Sequence, residues 1–184
     1  MMNFRFLDFI KEILQTVILA LLIVIPIRVF LFQPFIVKGQ SMEPMFEDGD
    51  YLIVDNLTYR FREPQRGEVI VFKNPFNERQ RFIKRIIALP GEIVEISEGK
   101  IYITPRDNEK DVIILNDSYL ESGFKTVKTK FILGQDEYFV LGDNRNFSLD
   151  SRRFGPIKED KIIGRVFLRL WPLSSFGTFE PQIY

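Results

Sequence analysis

The sequence predicts a mostly β protein: a single N-terminal transmembrane helix, then a β-sheet or barrel-like domain with a small β insertion. Three observations carry this. Ile13 to Ile27 is free of charge, the chain after Pro34 breaks into short runs rich in β-branched and aromatic residues, and no stretch after residue 40 has the pattern of a long amphipathic helix. A length of 184 residues accommodates one ordinary domain with an appendage.

In chain order, residues 1–12 form a short polar-apolar lead. Fifteen uncharged residues from Ile13 rise only about 22 Å as a helix, short of a bilayer core of roughly 30 Å. Arg28 can snorkel, however, and the apolar run resumes through Phe32, so 13–32 is long enough to span. Pro26 kinks such a helix near its end, which membrane helices tolerate. A cleaved leader would need small residues after the apolar run, and the chain holds only Ala20 and Ala88. A buried core helix would show a polar face, and this one offers only Gln15 and Thr16. A retained anchor is the better reading. Arg5 and Lys11 precede the span while Arg28 and Lys38 follow it, so charge does not orient it.

The body, 33–184, reads as strands at 35–38, 51–55, 68–73, 81–89, 92–97, 100–104, 111–115, 137–141 and 161–170. Turns fall beside them at Asp48-Gly49, Arg66-Gly67, Pro90-Gly91, Glu98-Gly99 and Gly142-Asp143. The polar stretch from Pro105 to Lys130 is an excursion from the main sheet, so an insertion is expected near 98–135.

Composition narrows the chemistry. Without Cys or His there is no disulfide, thiol nucleophile, thiolate or imidazole metal site, nor Ser-His-Asp triad. No metal or cofactor is expected. A formal net charge of zero argues against a nucleic-acid partner. A general base near pH 7 must then be a carboxylate or an amine of depressed pKa.

Ser41 follows Gly39 and precedes Pro44, where a turn residue is also the ordinary reading. Lys84 lies between Phe82 and Ile86 on one strand face; it either snorkels at a rim or is buried, and burial would lower its pKa. Gly142 to Arg152 alternates acids, amides, arginines and serines, which fits a clamped loop as well as a site. Leu89-Pro90-Gly91-Glu92 is a structural turn. Taken together, a hydroxyl nucleophile beside a desolvated lysine is a coherent pair.

These residues resemble the bacterial type I signal peptidases, membrane-anchored Ser/Lys endopeptidases, along nearly the whole chain. The likeness rests on five ordered segments: Ser41-Met42-Glu43-Pro44-Met45; Gly49-Asp50-Tyr51-Leu52-Ile53-Val54; Arg66-Gly67-Glu68-Val69-Ile70-Val71-Phe72; Lys84-Arg85-Ile86-Ile87-Ala88-Leu89-Pro90-Gly91-Glu92; and Gly142-Asp143-Asn144-Arg145 with Ser148, Asp150, Ser151, Arg152 and Gly155. The resemblance implies Ser41 as nucleophile, Lys84 as general base, Ser148 as the group orienting its amine, and pairs Asp143–Arg85 and Asp150–Arg152 shaping the site. The Ser41 N–H would be one oxyanion donor. Some relatives add a side-chain hydroxyl two residues earlier, where this chain has Gly39, so a second donor must come from elsewhere. Met45 and Phe46 depart from the commoner Thr and Leu. Phe35, Val37, Gly39, Gln40 and Met42 are expected around the oxyanion site and substrate groove, with Phe35 to Lys38 as one wall.

The resemblance further implies cleavage of signal peptides of exported preproteins after small-residue, A-x-A-like sites through an acyl-enzyme. It places the anchor in the cytoplasmic membrane lipid bilayer, residues 1–12 in the cytoplasm and 33–184 outside. Three alternatives stand beside it: a catalytically inactive, membrane-anchored peptide-binding homologue; a Ser/Lys autoprotease of the repressor-cleavage type, which would need a DNA-binding helical domain; and a carboxylate hydrolase using Asp143 and Asp150.

Overall fold

A computed structural model describes residues 2–30, 32–106, 111–115, 128–179 and 181. Helix α1, Met2–Phe30, leads into a chain of strands. These are β1 (Phe32–Ile36), β2 (Tyr51–Asp55), β3 (Val69–Asn74), β4 (Asn77–Ala88), β5 (Ile93–Ser97), β6 (Lys100–Thr104), β7 (Ile113–Ile114), β8 (Thr129–Ile132) and β9 (Glu137–Leu141). A one-turn helix α2 (Ser151–Phe154) follows, then β10 (Ile157–Lys158), β11 (Ile162–Trp171) and β12 (Gly177–Thr178). The mostly β expectation holds.

Side chains of α1 are described from 8 to 24, and all of them are exposed, including Leu14, Leu19 and Leu22. Among the described residues no helix is long and apolar enough to cross a membrane.

The larger sheet runs β1-β2-β11-β3-β4-β9-β10, with β12 added on β11, and every pairing is antiparallel. Two of its edges matter for the site. Among the described residues, β1 has β2 as its one neighbour, and the first part of β4 pairs with β3 alone, because β9 joins β4 only from Arg85 onward. Four antiparallel steps separate β1 from β4, so both run in the same direction. The sheet is therefore open at these edges where a barrel would close. Pro34, which marks the change of texture in the sequence, lies inside β1; its missing N–H is tolerated because β1 is an edge strand.

The smaller sheet, β7-β6-β5-β8, stacks Val94, Ile96, Ile101 and Ile103 against Ile87, Ala88, Phe139 and Leu141 of the larger one. It takes in β5, which begins ahead of the residue where the sequence suggests an insertion. Residues 107–110 and 116–127 of the expected excursion lie outside the described residues. A second apolar cluster joins Val37, Met42 and Phe46 to Leu52, Val54, Val69, Ile83 and Val166, directly beneath the Ser41 segment.

β4 is the longest strand, and its burial changes along its length. Asn77 to Arg81 are exposed, whereas Ile83 to Ala88 are buried on both faces. Lys84 and Arg85 are thus drawn into the interior by the apolar residues around them rather than left to snorkel.

Candidate active site

Lys84 is 3% exposed, and its Nζ lies 2.6 Å from Ser41 Oγ across 43 residues of sequence. The amine also donates to its neighbour's carbonyl, Ile83 O, at 2.7 Å, and sits 5.6 Å from the centre of the Phe82 ring. Burial is the dominant influence on this group and pushes its pKa down to about 8 from 10.5, against the opposing pull of Asp150 and Asp143. Burial prevails because both carboxylates are already partnered by arginines, which cancels much of their field at the amine.

Those two clamps differ in depth. Arg85 grips Asp143 through Nε at 2.8 Å and a terminal nitrogen at 2.6 Å, with both side chains almost wholly buried, and donates its other nitrogen to Gly67 O at 2.8 Å. Arg152 grips Asp150 with two 2.8 Å contacts and reaches Arg145 O at 2.6 Å. Asp150 also caps α2 and accepts from the Gly142 N–H at 3.2 Å, so one carboxylate ties the loop to the helix. With both acids held by guanidinium groups, a carboxylate hydrolase built on Asp143 and Asp150 has no free acid–base pair.

The Ser41 segment is fixed from several sides. The Asn144 N–H donates to Ser41 O at 3.1 Å, joining it to the loop after β9. Gly142 lies so close that a Cβ there would sit 2.3 Å from both Ser41 O and Ser148 Oγ. The sequence marks Gly142 as a turn residue and as the head of a motif segment; its need for close approach shows in no spacing or pattern. Arg169, also unforeseen, bonds Asp50 at 3.0 Å and Met45 O at 2.8 Å between the rings of Phe46 and Phe179.

Three expectations need correction. Ser148 Oγ is buried and has no hydrogen-bond partner among the described residues, so its bond to the Lys84 amine is not made here; the amine turns to Ile83 O instead. Val37 and Met42 are core residues, 1% and 0% exposed, because strand alternation sends Ile36, not Val37, outward. Phe35, Gly39 and Gln40 do line the groove beside Ser41. That groove, about 670 Å³, runs between Pro34 to Ile36 of β1 and Arg81 to Lys84 of β4, with Phe147 and Leu149 at its rim. No cluster of acids able to hold a metal ion occurs among the described residues.

The Gly39 N–H, at a left-handed φ of +85°, donates to Asp48 Oδ1 at 2.6 Å. The Ser41 N–H is left without a partner among the described residues. A buried neutral-capable amine on a hydroxyl, an open N–H beside it and an open groove can together perform acyl transfer.

Residues 10–171 match the family described as signal peptidase, peptidase S26. A probable signal peptidase I-2 of Synechocystis sp. is 37% identical over 172 residues, which is 90% of this chain and 75% of that protein. Signal peptidase IB of Staphylococcus aureus is 32% identical over 187 residues, covering 94% of this chain and 97% of that protein. A crystal structure of a signal peptidase I from Enterococcus faecalis aligns at 34% identity and a TM-score of 0.47, over 56% of this chain and 97% of that one. Matched along most of its length, the chain belongs to the signal peptidase family, peptidase S26, and is an enzyme of that family.

Proposed function

We propose that this enzyme is a membrane-anchored Ser/Lys endopeptidase that removes signal peptides from exported preproteins after small-residue, A-x-A-like sites. The observation that carries the reading is the 2.6 Å contact between Ser41 Oγ and a buried Lys84 amine whose pKa is pushed down to about 8. In its neutral form the amine accepts the Ser41 proton as Oγ attacks the scissile carbonyl carbon. The Ser41 N–H stabilises the oxyanion, Lys84 passes the proton to the leaving amine, and the same lysine activates the water that cleaves the ester. Arg85–Asp143 and Arg152–Asp150 would hold the walls, and Ser148 would steady the amine once it turns from Ile83 O.

The substrate enters as an extended strand. The facing edges of β1 and β4 run in the same direction, and a peptide laid between them would hydrogen-bond to both. Phe35, through its ring, and Gly39 and Gln40, through the backbone, would contact the residues before the cut. Residues 13–32 form the anchor, with 1–12 in the cytoplasm and 33–184 on the far side of the cytoplasmic membrane. The exposed apolar side chains of α1 support that arrangement.

Cleavage of a preprotein in detergent by wild type, Ser41→Ala and Lys84→Met tests the reading. Met keeps much of the length and apolar character of the lysine stem without its amine. Cut product from the wild type and none from either variant is expected; equal product from all three would overturn the mechanism.

A further inference from the structure

The approach to Ser41 is weakly built. Val37 is anchored in the core and bonded through its N–H to Asp50 O at 2.9 Å, and Met42 is fully buried beyond the nucleophile. Lys38, Gly39 and Gln40 between them are exposed, and nothing lies within 4 Å of where a Gly39 Cβ would stand. The Gln40 carbonyl closes a turn with the Glu43 N–H at 3.2 Å. For Lys38 and Gly39 the tie given by the described residues is the 2.6 Å bond from the Gly39 N–H to Asp48 Oδ1.

The two residues after Asp48 are tied to the body. The next residue, Gly49, donates to Val37 O at 3.0 Å, and Asp50 is locked by Arg169 at 3.0 Å. A succession of contacts therefore runs from Arg169 through Asp50 and the Asp48 turn to Gly39, two residues before the nucleophile. We infer that Asp48 is a positioning residue for catalysis: its carboxylate fixes the Gly39 peptide and thereby aims the Ser41 N–H and Oγ. The same bond commits the Gly39 N–H to Asp48 and keeps it out of the oxyanion site. This inference rests on the reading of Ser41 as nucleophile.

The test compares wild type, Asp48→Ala, Asp48→Asn and Ser41→Ala, each as the full chain in detergent with a preprotein substrate. Loss of a hydrogen bond to a charged acceptor predicts that Asp48→Ala lowers kcat about tenfold or more while KM changes little. Asp48→Asn, which keeps an acceptor oxygen, should retain most of kcat, with melting temperatures alike in all variants because Asp48 is exposed. Wild-type kcat in Asp48→Ala would overturn the inference. So would a raised kcat, which would mean that a freed Gly39 N–H serves the oxyanion better. An Asp48→Asn defect as deep as that of Asp48→Ala, or a parallel fall in melting temperature, would also overturn it. Activity in Ser41→Ala would overturn the nucleophile assignment itself, whereas an inactive Ser41→Ala beside a fully active Asp48→Ala would sink only the role of Asp48.

Discussion

The two partners of the Ser41–Lys84 contact are held in opposite ways. Lys84 sits within the twelve-residue strand β4, buried on both faces and followed by an arginine clamped to Asp143. Ser41 sits in a turn, approached through exposed residues and fixed mainly by backbone hydrogen bonds. The difference separates two physical tasks. Burial sets the protonation of the base, and a burial effect spreads over many apolar neighbours. Hydrogen bonds set the position of the nucleophile, and a position is lost when one of a few contacts is lost.

On the strand side, Asp143→Ala removes the carboxylate that the buried Arg85 guanidinium grips. About 3–5 kcal/mol of stability should be lost, read from denaturant midpoints at constant slope. A cost as small as that of an exposed pair would break the contrast between the two regions.

On the turn side, Gly142→Ala forces a Cβ against Ser41 O and Ser148 Oγ. A displacement of about 1 Å costs roughly a hundredfold in rate, so kcat should fall by that order while the fold persists by circular dichroism. Unchanged kcat would mean that the loop yields without moving the serine.

The pH profile sharpens the strand-side account. In the proposed mechanism the working base is the neutral amine, so activity is lost as pH falls through the Lys84 pKa and rises above it. The rising limb of kcat/KM should be centred near the depressed value of about 8. A limb near the 10.5 of an unperturbed lysine would show that the amine is hydrated.

The smallest effect is expected from Ser148→Ala. Its Oγ has no partner in the resting site, so removing it should cost under about 1 kcal/mol of stability. A fall in kcat without a fall in melting temperature would show that the hydroxyl engages Lys84 during turnover, sharpening its role from filler to positioning group.

Much of the strand layout was legible. The runs at 51–55, 100–104 and 137–141 coincide with β2, β6 and β9, because each is a self-contained run of β-branched or aromatic residues. β8, β10 and β12 were missed. Each has four residues or fewer, and each is a strand because a partner distant in sequence offers an edge: Thr129–Ile132 lies against β5, Ile157–Lys158 against β9 and Gly177–Thr178 against β11. α2 is absent from the sequence pattern because one turn capped by Asp150 has no room for a helical period. Among site residues, Ser41, Lys84, Arg85, Asp143, Asp150 and Arg152 were nameable from resemblance to known motifs. Gly142 stood in the last of those segments without a role, and Asp48 and Arg169 had none either, since their contacts join segments that no spacing rule connects.

The sequence by itself determined the kinds of chemistry open to this protein. Lacking Cys and His, with Ser41 and Lys84 in recognisable segments, it leaves a hydroxyl and an amine as the leading pair. Tertiary structure alone decided which of those groups meet and in what state. A 2.6 Å contact across 43 residues, a depressed lysine pKa, an orphaned Ser148 hydroxyl and a groove between two like-directed edges are properties of packing. Desolvation and strand register depend on which surfaces are brought together, and a linear pattern of residue types does not specify that distance by distance.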